Sequence, residues 1–326
     1  MTNNNVLLSA RDISVDFATR SGKLGALHNV TFDLHKGEIM GLVGESGSGK
    51  STLGKAIMRM IEEPGKITSG QLFFDGMDMM SLSPRRMRDI RGSRISMIFQ
   101  DPMTSLNPVQ RIDNHIIEAI RVHRPDIARD EANHMAEELI ERLGIGKRRL
   151  NEYPHQMSGG MRQRIMIGLA LALKADLIIA DEPTTSLDVI VEAQFLDLLR
   201  ELKNDFNLTI LLITHNIGVV AELADRVGVM YAGQLVEVAP VRELFHNPKH
   251  PYTQGLLKSV PNIALDGEDL YRMQGSPPNL INPPSGCRFH PRCPEVMMDI
   301  CPLKVPPRTQ ISAEHITRCW LYEEHS

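Results

Sequence analysis

The stretch that decides the fold is Ile39-Met-Gly-Leu-Val43 followed by Gly44-Glu-Ser-Gly-Ser-Gly-Lys-Ser51. The second part fits the phosphate-binding loop pattern G-x-x-x-x-G-K-[ST] without a mismatch. The apolar run before it predicts a buried strand, and the residues from Thr52 to Met58 predict an opening helix. A glycine-rich loop between a strand and a helix directs backbone N–H groups and the positive end of the helix dipole into one cavity. The sequence therefore predicts a site for a nucleoside triphosphate.

The loop residues suit both the phosphates and their cation. Lys50 can reach the β- and γ-phosphates of ATP, and the Ser51 hydroxyl can ligate Mg²⁺. We expect nucleotide contacts from the whole loop and from the residue after it. These residues are Gly44, Glu45, Ser46, Gly47, Ser48, Gly49, Lys50, Ser51 and Thr52.

Length, charge and apolar content limit the classes of protein to consider. A chain of 326 residues is long enough for one large domain and an extra module. The formal net charge of −4 provides no bulk attraction to nucleic acid. The start, Met1-Thr-Asn-Asn-Asn, lacks the pattern of a signal peptide, and no apolar run is long enough to span a bilayer. We expect a cytosolic protein that reaches a membrane only through partners.

Two further polar groups follow predicted strands. Leu177-Ile-Ile-Ala180 ends in Asp181 and Glu182, whose side chains point to opposite sides if the strand continues. Asp181 can then hold Mg²⁺ while Glu182 acts as a general base on water. His215 comes just after the apolar run Thr209 to Ile213, and the carboxyl end of such a strand is the ligand side of a parallel sheet.

Ser158-Gly159-Gly160 precedes a strongly helical run from Met161 to Leu173. Serine and glycine at a helix N-terminus can form a second anion site. As an isolated triplet, the same residues could equally be an ordinary helix cap.

The four cysteines all lie near the C-terminal end, at Cys287, Cys293, Cys301 and Cys319. A cytosolic compartment disfavours disulfides between them. Four thiolates can bind zinc or a [4Fe–4S] cluster, although the spacing lacks the C-x2-C pairs of ordinary zinc ribbons. A metal would stabilise a segment that is rich in proline and has little apolar periodicity. On the residues alone, a cluster, zinc and an unoccupied site all stay open.

The order of these motifs resembles that of the ATP-binding-cassette (ABC) ATPases over about residues 6–245. The motifs follow one another as the phosphate loop, Gln100, Ser158-Gly-Gly160, Asp181-Glu182, Ser186-Leu-Asp188 and His215. The resemblance implies an α/β fold, with an ABC-type P-loop NTPase core, an antiparallel β subdomain and a helical subdomain at about 101–173. A Pro/Cys-rich C-terminal extension would follow this core.

The resemblance also implies a role for individual residues. Glu182 would be the catalytic carboxylate, and His215 would hold the γ-phosphate together with Lys50. Gln100 would sense Mg²⁺ and the transmembrane partner, beside the magnesium ligands Ser51 and Asp181. Phe17 falls where this family stacks an aromatic ring on adenine.

Longer matches narrow the resemblance to the ATPases of oligopeptide/dipeptide importers. They are Gln100-Asp-Pro-Met-Thr-Ser-Leu-Asn-Pro108, Met161-Arg-Gln-Arg164, Asp181-Glu-Pro-Thr-Thr-Ser-Leu-Asp188, His250-Pro-Tyr-Thr253 and Cys287-Arg-Phe-His-Pro-Arg-Cys293. The resemblance implies ATP-driven import with peptides as the leading cargo, and an oligosaccharide or nickel as the alternatives. Since some relatives hold a [4Fe–4S] cluster on the matching cysteines, it favours the cluster over zinc. A soluble ABC ATPase acting on DNA or ribosomes is disfavoured, because the chain has one cassette, no heptad insertion and no basic stripe.

In such importers two ATPase subunits act together. Ser158-Gly159-Gly160 would contact the γ-phosphate held by the opposite subunit, and Ser186-Leu187-Asp188 would link the two sites. The family's usual Leu-Ser-Gly-Gly-Gln signature reads Met157-Ser-Gly-Gly-Met161 here. Methionine lacks the amide hydrogen bonds of glutamine, so we expect altered affinity at this site. The variant resembles one of the two non-identical ATPase subunits that these importers commonly carry.

We therefore expect an ABC ATPase domain at 1–245 and a C-terminal extension with the cysteines at 246–326. The implied partners are a second ABC ATPase subunit, two transmembrane permease subunits and an extracytoplasmic solute-binding protein, with no nucleic acid. The implied location is the cytoplasmic face of the inner or plasma membrane, through the permease subunits.

Overall fold

The computed structural model describes residues 5–100, 106–185, 187–259 and 273–323. In these residues the strands are β1 (Val6–Thr19), β2 (Gly22–His35), β3 (Ile39–Val43), β4 (Gly65–Phe74), β5 (Met77–Asp78), β6 (Ile95–Ile98), β7 (Leu177–Asp181), β8 (Thr209–Ile213), β9 (Arg226–Tyr231), β10 (Gln234–Pro240), β11 (Thr309–Ser312) and β12 (His315–Thr317). The helices are α1 (Lys50–Ile57), α2 (Pro84–Ile90), α3 (Ile112–His123), α4 (Arg129–Arg142), α5 (Gly159–Leu171), α6 (Val189–Phe206), α7 (Ile217–Leu223), α8 (Val241–His246) and α9 (Pro251–Lys258). Short 3₁₀ turns add Lys147–Asn151, Pro154–Gln156, His290–Arg292 and Trp320–Tyr322.

The chain divides into two compact units. The first combines Met1–His35, Ile39–Met80 and Thr214–Ser326, and the second combines Lys36–Glu38 with Ser81–Ile213. Among the residues described, no helix is both long and apolar enough to cross a membrane. The predicted boundary between an ATPase domain and an extension at residue 245 stays a prediction.

One antiparallel sheet of the first unit has the strand order β2-β1-β4-β5. Its longer strands, β1, β2 and β4, each contain a run of the β-branched and aromatic residues that favour strands. Both ladders of β1 shift register near Asp12, which has a φ of 51°. Opposite it, Gly70 has a φ of 104°, and a Cβ there would lie 2.7 Å from the Arg11 carbonyl oxygen. Glycine is therefore required where the bulged strands approach each other.

The first unit also contains the strand series β11-β12-β10-β9-β3. Neighbours in this series are antiparallel, except that β3 runs parallel to β9. The runs Val227 to Met230 and Gln234 to Val238 predict a hairpin that turns at Ala232-Gly233. The pairing of β9 with β10 confirms it, and both turn residues have positive φ, 48° and 78°, as a type I′ turn requires. At the far end, β12 pairs with β10, so residues close to the C-terminus extend this series.

The second unit contains the parallel strands β8-β7-β6. All residues of β7 and β8 are buried, which explains why their sequences are continuous apolar runs rather than alternating ones. From Ile112 to Leu143 the sequence places apolar residues at helical spacing, which predicts helices. Helices α3 and α4 confirm this prediction and pack against each other. A Cβ on Gly168 of α5 would lie 2.6 Å from Leu143 Cδ1, so this glycine permits close packing of α5.

A buried carboxylate anchors the C-terminal strands of the first unit. Glu237 on β10 accepts hydrogen bonds from the backbone N–H of Lys249 (2.6 Å) and of His250 (3.0 Å), and it contacts His315 Nε2 at 2.7 Å. Burial lowers the pKa of His250 to about 4, so its ring is neutral and its Nδ1 accepts a hydrogen bond from the Tyr252 N–H. One side chain thus connects β10, β12 and the start of α9.

Glu237→Gln tests this anchor. The amide keeps the shape of the side chain but turns an NH₂ group toward groups that donate, so at least one buried donor loses its acceptor. We expect the free energy of unfolding to fall by about 1–3 kcal/mol, measured by urea denaturation. The control is Glu314→Gln, because Glu314 is exposed. Equal urea midpoints for the two variants would contradict the anchor.

Candidate nucleotide-binding site

The phosphate loop lies between β3 and α1, as the sequence predicts. Gly44 has a φ of 150°, and a Cβ there would lie 2.1 Å from the carbonyl oxygen of Met230. Gly49 has a φ of 104°, and its Cβ would lie 2.7 Å from the carbonyl oxygen of Ala26. Both positions combine left-handed backbone with close contact to neighbouring backbone, so only glycine fits. The glycines of the motif are thus explained by geometry.

Lys50 is folded back over the start of the loop. Its Nζ donates to the carbonyl oxygens of Gly44 (2.8 Å) and Glu45 (3.0 Å), and the residue is 5% exposed. Ser48 Oγ is buried beside it and, in the described part of the chain, has no hydrogen-bond partner. A buried ammonium and a buried hydroxyl at a helix N-terminus fit an anionic phosphate group.

Two further predicted residues lie in the first unit. Phe17 on β1 is half-buried and faces Gly65 of β4, where a Cβ would lie 2.4 Å from its ring. The ring therefore lies against bare backbone. His215 is exposed just after Thr214, whose N–H donates to the Leu42 carbonyl oxygen at 3.2 Å. This bond attaches the histidine's segment to the strand that leads into the phosphate loop.

The two acidic residues lie at the end of β7 in the second unit. Asp181 is 5% exposed, whereas Glu182 is half-buried and turns out of the strand with a φ of 48°. The Glu182 Oε2 accepts hydrogen bonds from Gln100 Nε2 and from Thr185 Oγ1, both at 3.0 Å. Left-handed backbone is costly for a non-glycine residue, and such strain concentrates at functional sites. The structure thus brings Gln100 and Glu182 together.

Ser158 caps helix α5, and its Oγ accepts a hydrogen bond from the Met161 N–H at 3.3 Å. The residue is exposed, and a Cβ on Gly159 would meet no atom within 4 Å. On the other side, a Cβ on Gly160 would lie 2.5 Å from Val191 Cγ1 at the start of α6. The Ser-Gly-Gly sequence therefore leaves the helix end open to a ligand while allowing close packing behind it. Ser186 and residues 101–105 lie outside the described residues.

The four cysteines lie in the C-terminal segment and differ in exposure. Cys301 and Cys319 are buried, Cys287 and Cys293 are half-buried, and the Cys287 N–H donates to the Cys301 carbonyl oxygen at 2.8 Å. Burial, followed by mutual repulsion of thiolates, raises the pKa of Cys293 to about 11 and of Cys319 to about 12. Within the described ranges, however, no group of three or more His, Cys, Asp or Glu side chains is arranged to hold a metal ion. The donor chemistry fits a metal, but the side-chain arrangement gives it no support.

Some contacts of the site are not evident from the sequence. Thr185 belongs to a quoted motif, yet nothing in its pattern indicates a bond to Glu182. Gln163 is buried in α5 and donates to the carbonyl oxygen of Pro183, which supports the turn after Glu182. Tyr252 and Arg292 contact Glu45 of the phosphate loop across large separations in sequence.

Comparison with known proteins agrees with this geometry. The sequence matches the ABC transporter family over residues 27–185 and the family "Oligopeptide/dipeptide transporter, C-terminal region" over residues 236–301. A dimeric structure of the ATP-binding cassette MJ0796, in a post-hydrolysis state bound to ADP and Pi, aligns with a TM-score of 0.66 and 26% identity. That alignment covers 72% of this chain and 99% of that chain. The chain therefore belongs to the ABC transporter ATPases, and the predicted α/β cassette fold is confirmed.

Relatives of nearly equal length define the group within the family. The dipeptide transport ATP-binding protein DppD of Bacillus subtilis is 44% identical over 98% of this chain and 96% of its own length. The oligopeptide transport ATP-binding protein OppD of the same organism is 46% identical over 97% of this chain and 88% of its own length. The oligopeptide transport ATP-binding protein OppD of Salmonella typhimurium is 43% identical over 97% of this chain and 94% of its own length. Within the ABC ATPases, the chain belongs with the ATP-binding subunits of oligopeptide/dipeptide transporters.

Proposed function

We propose that this chain hydrolyses ATP to power the import of dipeptides or oligopeptides across a membrane. The single observation that carries the proposal is the combination, in one chain, of a phosphate loop that holds the Lys50 ammonium with a C-terminal region of the oligopeptide/dipeptide type. The names of the full-length relatives support peptides as the cargo. The same machine importing an oligosaccharide or nickel is the alternative, and a soluble ABC ATPase without a transport role is the less favoured one.

The nucleotide is held first by its phosphates. Backbone N–H groups of 46–52 and the ammonium of Lys50 neutralise the β- and γ-phosphates, while Phe17 stacks on the adenine. The hydroxyl of Ser51, the carboxylate of Asp181 and the amide oxygen of Gln100 are hard oxygen ligands, so they fit Mg²⁺. Bound Mg²⁺ would supply charge neutralisation between the phosphates.

Glu182 accepts a proton from the attacking water, and His215 positions the γ-phosphate. The hydrogen bonds from Gln100 and Thr185 support this role for Glu182, because they fix the orientation of its carboxylate. Since Gln100 also belongs to the motif that senses the transmembrane partner, it can connect the state of that partner with the orientation of the base.

The active form contains two ATPase subunits. Ser158-Gly159-Gly160 binds the γ-phosphate of the nucleotide held by the second subunit, and the exposed end of α5 supports this role. The partners are that second ABC ATPase, two permease subunits and an extracytoplasmic solute-binding protein. The chain works at the cytoplasmic face of the membrane, with an ATPase domain at 1–245 and an extension at 246–326.

Glu182→Gln tests the proposed base. It keeps the size of the side chain and removes the proton acceptor, so steady-state ATP hydrolysis by the assembled transporter should fall by about 10²–10⁴-fold. ATP binding should remain, and the ATP-bound dimer should accumulate.

The matched control is Glu201→Gln on the exposed side of α6, which should leave turnover unchanged. If Glu182→Gln turned over within threefold of wild type, the base would have to be another residue.

We also propose that Cys287, Cys293, Cys301 and Cys319 hold a [4Fe–4S] cluster, with zinc as the alternative. Burial, and after it repulsion from neighbouring thiolates, raises the pKa of the Cys287, Cys293 and Cys319 thiols. This supports a shared site, since a bound cation would favour the thiolates that burial disfavours. The group would act as a structural clip for a segment with little regular secondary structure.

Metal and sulfide analysis of the chain purified without oxygen tests this proposal. About four irons and four sulfides per chain are expected for the cluster, and one zinc for the alternative. Cys293→Ser should lose the metal and loosen the C-terminal segment to proteolysis, with less effect on the ATPase core. A wild-type chain that contains no metal, and whose C-terminal segment nevertheless resists proteolysis, would contradict both the cluster and the zinc alternative.

A further inference from the structure

The loop between the first two cysteines, Cys287–Cys293, reaches the phosphate loop. Both terminal nitrogens of Arg292 bond to the Glu45 carboxylate, with Nη1 3.0 Å from Oε2 and Nη2 3.1 Å from Oε1. The Arg292 side chain is only 7% exposed, and that of Glu45 is 25% exposed. A bidentate, largely buried ion pair of this kind fixes both distance and orientation. Glu45 is the second residue of the phosphate loop.

A second contact reaches the same residue through its backbone. The Glu45 N–H donates to the Tyr252 hydroxyl oxygen at 2.9 Å. Tyr252 is fully buried at the start of α9, and burial raises the pKa of its hydroxyl, so the group stays neutral. The side chain and the backbone of Glu45 are therefore both held by residues that follow β10.

Packing holds these two contacts in place. The rings of Tyr231, Tyr252 and Phe289 form a cluster with centroid separations of 4.5–5.5 Å. The Arg292 guanidinium lies 5.7 Å from the Tyr231 ring centroid, and its Nε donates to the Gln274 carbonyl oxygen at 3.0 Å. Because Phe289 and Arg292 belong to the same short loop, the cluster and the ion pair are positioned together.

We propose that Arg292 and Tyr252 are positioning residues for the nucleotide, acting as a brace on Glu45. The inference rests on the proposed nucleotide site. Glu45 brings a negative charge into a loop that must bind a triphosphate, and an unpaired carboxylate there would repel the phosphates. Arg292 neutralises that charge, while Tyr252 fixes the backbone at which the loop begins. The C-terminal segment thereby contributes to ATP affinity without contacting ATP.

A double-mutant cycle on the purified full-length chain tests the ion pair. Arg292→Met should weaken equilibrium binding of ATP by about tenfold, because it leaves the Glu45 carboxylate unpaired. In a Glu45→Gln background the same substitution should change the affinity less than about twofold, since no charge remains to be neutralised. The ATP affinity of Arg292→Lys should lie between those of the wild type and Arg292→Met, because lysine keeps the charge but cannot form the bidentate ion pair. Arg318→Met is the control: Arg318 belongs to the same segment, but its Nη2 donates to the Asn29 carbonyl oxygen.

Two tyrosine-to-phenylalanine variants test the contact between the Tyr252 hydroxyl and the Glu45 backbone. Tyr252→Phe removes only the oxygen that accepts from Glu45 and should weaken ATP binding several-fold. Tyr322→Phe removes a hydroxyl that donates to the Lys249 carbonyl oxygen and should leave the affinity unchanged.

The brace is overturned if Arg292→Met has no effect, or if its effect is equally large in the Glu45→Gln background, which would indicate general loosening of the fold. Failure of the wild-type chain to bind ATP would instead overturn the proposed nucleotide site, and the brace with it.

Discussion

The rest of the structure depends on the backbone conformation of the phosphate loop. Gly44 and Gly49 have φ values of 150° and 104°, and a Cβ on either residue would clash with the carbonyl oxygen of Met230 or of Ala26. The loop backbone therefore lies close against β9 and β2, with space for no side chain at these two positions. Lys50 then begins α1 with its ammonium already on the loop. The ammonium of Lys50 and the glycine backbone are thus held together at the point where a phosphate would bind.

A comparable constraint operates in the second unit at Glu182. Its backbone leaves β7 with a positive φ, and a hydrogen bond from its own N–H to the Ile213 carbonyl oxygen fixes that turn. The side chain is then oriented by Gln100 and Thr185. A non-glycine residue with positive φ lowers the stability of the folded state, and such residues cluster at sites where their orientation matters for chemistry. The strain therefore supports the role that we propose for Glu182.

Local patterns predicted much of this molecule, and contacts distant in sequence were not predictable. The strand–loop–helix around Lys50, the strands β7 and β8, and the hairpin at Ala232 follow from periodicity, glycine placement and apolar runs over short windows. The pair of Glu45 and Arg292 joins residues 247 positions apart, so no window contains both. The burial of Glu237 was not predictable either. A charged residue in a strand is normally expected to be exposed to solvent, and only the structure reveals its buried partners. The cysteine spacing indicated a metal, but spacing alone does not determine how side chains converge.

The most direct test of the central claim is equilibrium titration of the purified chain and of Lys50→Ala with ATP. Lys50 provides the buried positive charge at the loop, so its removal should raise the dissociation constant for ATP by at least about tenfold. The thermal unfolding midpoint without nucleotide should be recorded for both proteins, so that a folding defect is recognised. A dissociation constant equal to that of the wild type in a folded variant would contradict the account, because the loop would not hold the triphosphate.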